Sequence, residues 1–153
     1  MDRAPRSPAE IYADGFRVDE TARRAFDVDV EDAVVEEVQR AIDGARTQVA
    51  EFFNVQLSGA EGPGFLRYAS GGFYGLHRDV APEWESFPRR ISVVVFLSTS
   101  GEGCEGGSLR VYDPEPVDIV PRVGTLVAFR SELPHEVLPV TAGVRDAIVD
   151  WFY

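Results

Sequence analysis

Two hydrophobic periods divide the chain. Between residues 30 and 53, Val34, Val38, Ile42, Ala45, Val49 and Phe52 recur at spacings of three and four, which gives one apolar stripe and predicts a single long helix. Asp29 and Asp32 supply an N-cap and a negative first turn, and Asn54 supplies a C-terminal stop. Such a helix packs on a sheet and carries no chemistry of its own. Ahead of it, Ser7-Pro8-Ala9-Glu10 reads as a capping box with proline at the first helical position, predicting a short helix that ends near Gly15. Residues 23–30 alternate and end in FDVDV, the pattern of an outer strand.

Past the turn at Gly62-Pro63-Gly64 the period shortens to two, and glycine and proline punctuate it every few residues. Strands are predicted at 65–69, 73–79, 89–98, 107–112, 117–120, 125–130, 135–140 and 144–152. The runs ISVVVFL and TLVAF suit strands covered on both faces. This pattern predicts a mainly β fold, a double-sheet jelly roll with one long N-terminal helix packed on a sheet. No repeat or linker interrupts it, so residues 1–153 are expected to form a single domain. Residues 1–63 would be its helical and outer-strand support, and 64–153 its jelly-roll core.

Composition narrows the function classes. Hydrophobic residues make up 44% of the 153 and charged residues 27%, an ordinary globular balance. The longest apolar run falls short of a membrane span, and MDRAPRSPAE lacks the apolar core of a signal peptide. The one cysteine, Cys104, has no internal partner, so a cytoplasmic location is expected. The net charge of −11 arises from 26 acidic residues against 15 arginines, with no lysine. That surface repels phosphate backbones, so no nucleic-acid partner is expected, and without a long apolar run no membrane partner is expected either. It also means that any cationic anchor must be an arginine.

The only two histidines fall in one pattern: His77-x-Asp79, then His135, then Arg145. Side chains at i and i+2 of a strand share a face, so His77 and Asp79 converge while Arg78 points away. Two imidazoles and one carboxylate on one side of a metal are the ligand set of non-haem Fe(II) oxygenases. Antiparallel pairing of 135–140 with 144–152 would bring Arg145 near that metal, and a buried guanidinium needs an anionic partner. Tyr68 and Tyr74 flank a glycine turn, as packing residues or as contacts to substrate and co-substrate. Trp84, in the proline-rich VAPEWESFPRR, either closes a loop over substrate or pins that loop to the surface. Arg23 and Arg24 either reach the mouth of the site or are solvated charges. Cys104, in the loop SGEGCEGG, reads as an incidental thiol. With both histidines committed, no serine or cysteine triad remains, and no nucleotide-binding glycine motif is present.

The segments FLRYASGGFYGLHRDV, CEGGSLRVYD and VGTLVAFRSELPHEVLPVTAGVRDAIVDWF together resemble the prolyl 4-hydroxylase-like branch of the 2-oxoglutarate/Fe(II) dioxygenases, over roughly residues 64–153. The resemblance implies a double-stranded β-helix with Fe(II) bound by His77, Asp79 and His135. It further implies that Arg145 pairs with the distal carboxylate of 2-oxoglutarate, that Tyr68 hydrogen-bonds this co-substrate, and that Trp151 fills an aromatic position on the last core strand. Relatives in this branch often carry a tyrosine on the third core strand as a second anchor; here Phe96 stands there, and Tyr68 or Thr125 would take over. The implied activity is hydroxylation of an unactivated C–H bond using O2, with ascorbate as accompanying reductant and with release of succinate and CO2. The substrate would be a peptidyl, prolyl-type side chain, or alternatively a free amino acid or other small metabolite. The protein would be a monomer or homodimer. A reading of another class is a non-catalytic jelly-roll module that senses metal or oxoacid.

Overall fold

The computed structural model describes residues 1–12, 15–80 and 88–153. One helix, α1 (Asp32–Phe53), follows five short strands: β1 (Arg6–Pro8), β2 (Ile11–Tyr12), β3 (Phe16–Arg17), β4 (Arg23–Arg24) and β5 (Phe26–Val28). After the helix come β6 (Gly64–Ala69), β7 (Phe73–His77), β8 (Ile91–Phe96), β9 (Thr99–Ser100) and β10 (Gly103–Gly106). The chain ends with β11 (Leu109–Tyr112), β12 (Pro116–Ile119), β13 (Leu126–Arg130), β14 (His135–Val137) and β15 (Val140–Phe152).

The strands form two facing sheets and a separate hairpin. The larger sheet has eight strands, with the path β1-β5-β6-β15-β10-β9 and with β8 joining β15 to β13. The smaller one runs β12-β11-β14-β7-β4, and β2 pairs only with β3. This is the expected mainly β, double-stranded β-helix architecture. The 13-residue β15 is its spine, pairing β6 along Val144–Val149, β8 along Ala147–Phe152 and β10 near Gly143. Alternation along these strands assigns the faces. Phe65, Ile91, Val93, Ile148 and Phe152 meet Ile42 and Val49 of α1, while Val94, Phe96, Ala147, Leu109 and Phe129 pack between the sheets.

Several expectations need correction. Residues 6–8 form an edge strand on β5 rather than the start of a helix, and Ala9 N–H donates to the Ala25 carbonyl. Pairing with the large sheet outweighs a local capping signal there, and an edge strand tolerates Pro8. In α1 the N-cap is Glu31, not Asp29, and its side chain makes no capping bond. The buried stripe also sits one position away at each end. Val35 and Phe53 pack on the core whereas Val34 and Phe52 are 42% and 82% exposed. Both stripes have the same three-and-four spacing, so periodicity could not choose between them. Asn54 ends the helix as expected, in the left-handed conformation at φ 52°.

A further correction bears on the site. β14 and β15 do not pair; β14 lies between β7 and β11 in the small sheet, whereas β15 belongs to the large one. Leu138 and Pro139 carry the chain across, and proline has no N–H with which to extend a ladder. Cys104, assigned to a loop from sequence, is a buried residue of β10 whose thiol pKa is pushed up by burial.

Candidate metal centre

The small sheet brings the two histidines together. His135 on β14 is the direct cross-strand partner of His77 on β7, with ring centroids 4.1 Å apart. An irregularity between this pair and the next one, Val137 with Tyr74, lets Tyr74 and His77 share a face although they are three residues apart. Their rings stack at 3.5 Å, and Phe129 closes on the His135 ring edge-on at 4.7 Å. Asp79 follows β7, and its N–H donates to the Ser131 carbonyl at 3.0 Å.

Each imidazole is oriented by a local backbone carbonyl. His77 Nδ1 lies 2.8 Å from the Gly75 oxygen and His135 Nδ1 3.0 Å from that of Leu133, so a proton on each Nδ1 is donated and Nε2 is left as a lone-pair donor. Those Nε2 atoms lie 3.4 Å and 3.3 Å from the Asp79 carboxylate oxygens. The three ligand atoms fall within 4.8 Å of one another. Neighbouring ligands of an octahedral ion with bonds of about 2.1 Å stand about 3 Å apart, so the donor set and its spacing fit a small divalent metal.

The large sheet reaches across to hold Asp79. Trp151 Nε1 on β15 donates to Asp79 Oδ2 at 2.9 Å, and Ser92 Oγ on β8 donates to the same oxygen at 2.7 Å. Ser92 has a single hydroxyl proton, so the 2.9 Å contact with Ser131 Oγ is a bond that Ser92 accepts. Burial alone would raise the Asp79 pKa, but its bonds to His135 and His77 outweigh this and hold it well below the usual carboxylate range. Burial lowers His77. It opposes charge on His135 too, but there the Asp79 carboxylate prevails and the pKa is raised. Tyr74 is pushed up to about 12, mainly by burial, and stays neutral.

A cavity of about 230 Å³ joins this cluster to Arg145. Arg145 lies on β15 opposite Tyr68 of β6, and only 1% of its surface is exposed. Its guanidinium sits 4.9 Å from the Tyr68 ring and 5.3 Å from the Phe96 ring. Among the described residues no carboxylate forms an ion pair with it, and its buried Nε has no hydrogen-bond partner. Burial lowers its pKa. A guanidinium held this way, in the cavity that contains the histidines, is suited to a carboxylate-bearing ligand.

Tyr68, Tyr74, Trp151 and Arg23 line the cavity, whereas Arg24, Phe96 and Thr125 are not among its lining residues. Of the two residues considered in place of the missing tyrosine hydroxyl, Tyr68 lines the cavity and Thr125 does not. Trp84 lies outside the described residues. Ser92 and Ser131 were missed from sequence; the signal for Ser92 was one hydroxyl inside the apolar run ISVVVF, at even spacing from Phe96.

Comparison with known proteins agrees with this geometry. The family model described as the 2OG-Fe(II) oxygenase superfamily matches residues 63–153. A PKHD-type hydroxylase of Stenotrophomonas maltophilia is 38% identical over 94 residues, covering 58% of this chain and 41% of the relative. The chain thus spans about two-fifths of that relative's length. The crystal structure of a Pseudomonas putida prolyl-4-hydroxylase superposes with a TM-score of 0.70 at 30% identity, covering 87% of this chain and 73% of that one. A viral collagen prolyl hydroxylase from Paramecium Bursaria Chlorella virus-1 shares the fold, with a TM-score of 0.59 at 21% identity over 85% and 77% of the two chains. With the family model spanning the histidines, the aspartate and the arginine on their two facing sheets, the chain belongs to the 2OG-Fe(II) oxygenase superfamily.

Proposed function

We propose that this chain is an Fe(II)- and 2-oxoglutarate-dependent dioxygenase that hydroxylates an unactivated C–H bond, releasing succinate and CO2. The observation that carries the reading is the coexistence, in one cavity, of the His77–Asp79–His135 cluster and the unpaired buried guanidinium of Arg145. His77, Asp79 and His135 are the iron ligands. Arg145 takes the distal carboxylate of 2-oxoglutarate, with Tyr68 beside it as the second anchor in place of a hydroxyl at Phe96. Iron held by these residues would supply the redox chemistry that links decarboxylation of 2-oxoglutarate to oxidation of a second substrate.

The protein's own residues do the positioning. The backbone carbonyls of Gly75 and Leu133 keep both Nε2 lone pairs available, and Ser92 with Trp151 fixes the carboxylate of Asp79. The ligand set brings a single negative charge to a divalent ion, which leaves room for a chelating anion. Leu66, Val94, Leu109, Val137 and Val149 give the cavity an apolar wall. No general acid or base is called for.

A peptidyl, prolyl-type side chain is the substrate class favoured here, on the likeness to the Pseudomonas putida prolyl-4-hydroxylase; a free amino acid or small metabolite is the alternative. Ascorbate is the expected reductant. Succinate release from 2-oxoglutarate, measured with Fe(II) and a panel of peptides and metabolites, tests the reading. It predicts turnover that is lost in His77→Ala along with iron binding. Absence of turnover throughout, with iron binding unchanged in that variant, would overturn it.

A further inference from the structure

Among the described residues, the cavity lining reverses the charge balance of the chain. Over the whole sequence 26 acidic residues face 15 arginines. Yet among the described residues the charged side chains lining the cavity are Arg23, Arg78, Arg89 and Arg145 against Glu10 and Asp79. Asp79 belongs to the metal cluster. Arg89 is paired with Glu61, and the exposed Arg78 donates to the Glu132 carbonyl. Two guanidiniums are left without a carboxylate ion pair among the described residues: Arg145 in the depth and Arg23 toward the mouth. Their Nε atoms are two of the three buried side-chain polar atoms that lack a hydrogen-bond partner among the described residues.

Arg23 is held in place rather than free to swing into solvent. It lies on β4 opposite Tyr74 in register, and its Nη1 donates to the Glu10 carbonyl at 2.7 Å. The guanidinium carbon sits 4.6 Å from the centre of the Tyr74 ring, which in turn stacks on His77 at 3.5 Å. A guanidinium–phenol–imidazole stack therefore runs from the mouth to the metal cluster. Among the described residues Asp27 and Glu10 are its acidic neighbours, and neither forms an ion pair with it.

A fixed, half-buried guanidinium whose fork is not taken by a protein carboxylate is a receptor for a planar anion. The excess of positive charge inside an acidic protein also draws anions toward it. On the reading proposed above, the two carboxylates of 2-oxoglutarate go to the metal and to Arg145, and Arg23 is left over. We propose that Arg23 anchors a carboxylate of the primary substrate, which makes that substrate an anion. This inference rests on the 2-oxoglutarate reading. The carboxylate belongs either to a small amino-acid-like molecule or to an acidic residue of a peptide, and both present the same planar group.

The test uses the whole protein, anaerobic, with Fe(II) and saturating 2-oxoglutarate, and reads binding by quenching of tryptophan fluorescence. The probes are N-acetyl-L-proline and its amide, and the acetylated, amidated tripeptides Asp-Pro-Asp and Asn-Pro-Asn. At least one carboxylate probe is expected to bind about tenfold or more tightly than its uncharged counterpart. That preference disappears in Arg23→Met and is largely kept in Arg23→Lys, while 2-oxoglutarate affinity in both stays within about twofold of the wild type. Preference for the free acid points to a small substrate, and preference for the acidic tripeptide to a peptide. Equal binding of acid and amide overturns the proposal. So does a preference that survives in Arg23→Met, or no binding of any probe by protein that holds 2-oxoglutarate. Failure of the wild-type protein to bind 2-oxoglutarate, measured before any probe is added, overturns the underlying reading and this one with it.

Discussion

Arg145 offers the sharpest separation of stability from function. Its guanidinium is 1% exposed and has no carboxylate partner among the described residues, so the protein without 2-oxoglutarate carries a nearly uncompensated buried charge. Desolvating such an ion costs several kcal/mol. Against this stand two ring contacts, at 4.9 Å to Tyr68 and 5.3 Å to Phe96, worth about 0.5–2 kcal/mol each. Arg145→Met keeps most of the aliphatic stem and removes the charge. The ligand-free variant is therefore expected to be more stable than the wild type by about 1–3 kcal/mol. At about 2–4 °C per kcal/mol for a chain of this size, its Tm rises by roughly 2–12 °C. Addition of 2-oxoglutarate at about 100 times its Kd should then stabilise the wild type by about 2.7 kcal/mol and leave the variant unmoved. Thermal melts of both proteins with and without 2-oxoglutarate give all four values. A ligand-free variant less stable than the wild type, or an equal 2-oxoglutarate shift in both, would refute the reasoning.

Other parts of the site make separate predictions. Ser92→Ala and Trp151→Phe each remove one donor to Asp79 and should weaken Co(II) or Fe(II) binding about tenfold or more, measured by metal titration; unchanged affinity in both would show that Asp79 needs no such support. Gly107 has φ +68°, and an added Cβ there would lie 2.7 Å from Arg145 Cδ. Gly107→Ala should thus cost about 1–3 kcal/mol of stability and weaken 2-oxoglutarate binding, while a variant as stable as the wild type with full affinity would contradict the close approach. In metal-free protein the two imidazole resonances should titrate on opposite sides of 6.5, His135 above it and His77 below. Linkage gives these shifts opposite signs. The His135 contribution to stability is complete below its unfolded pKa of about 6.5 and is lost as pH rises through the higher folded value. The His77 contribution is instead lost as pH falls below about 6.5. In His77→Gln only the former remains, so that variant should lose stability as pH rises from about 6 to 8 in urea titrations; a flat profile would contradict the raised His135 pKa.

Much of this was legible because a strand has period two and the chain has only two histidines. Most strands from 64 onward and the metal cluster follow from local pattern, although β9 and β10 fall where the sequence predicted a loop. What could not be read is what depends on partners distant in sequence. The pairing of Arg6–Pro8 with β5 overrode a sound capping signal. The choice between the Val34/Phe52 and Val35/Phe53 stripes depended on how α1 docks on the large sheet. Placing Arg145 beside the metal by pairing β14 with β15 gave the right cavity through the wrong contact. Ser131 lies after β13, and nothing in its neighbourhood announces that it would meet Ser92.

That wrong contact points to how the site is assembled. Because β14 and β15 lie in different sheets, the imidazoles belong to the small sheet, while Arg145, Tyr68, Ser92 and Trp151 belong to the large one. Asp79 stands between them, contacting both histidines on one side and receiving two hydrogen bonds from the large sheet on the other. The metal cluster and the anion-binding arginine therefore keep their spacing only while the interior between the sheets stays closed. The side chains that set this separation are Val94, Phe96, Leu109, Phe129 and Ala147; Val94 and Leu109 also line the cavity, Phe129 meets the His135 ring and Phe96 lies beside the Arg145 guanidinium. Leu109, 1% exposed, is the clearest case. Leu109→Ala should cost about 2–5 kcal/mol in stability, and it should also weaken 2-oxoglutarate binding in the fraction that stays folded. The reason is geometric: one molecule must reach from the cluster on one sheet to Arg145 on the other, and a sandwich with a looser core no longer holds that span. Calorimetric titration with 2-oxoglutarate well below the variant's Tm checks this, and wild-type affinity there would mean that each sheet holds its half of the site without the other.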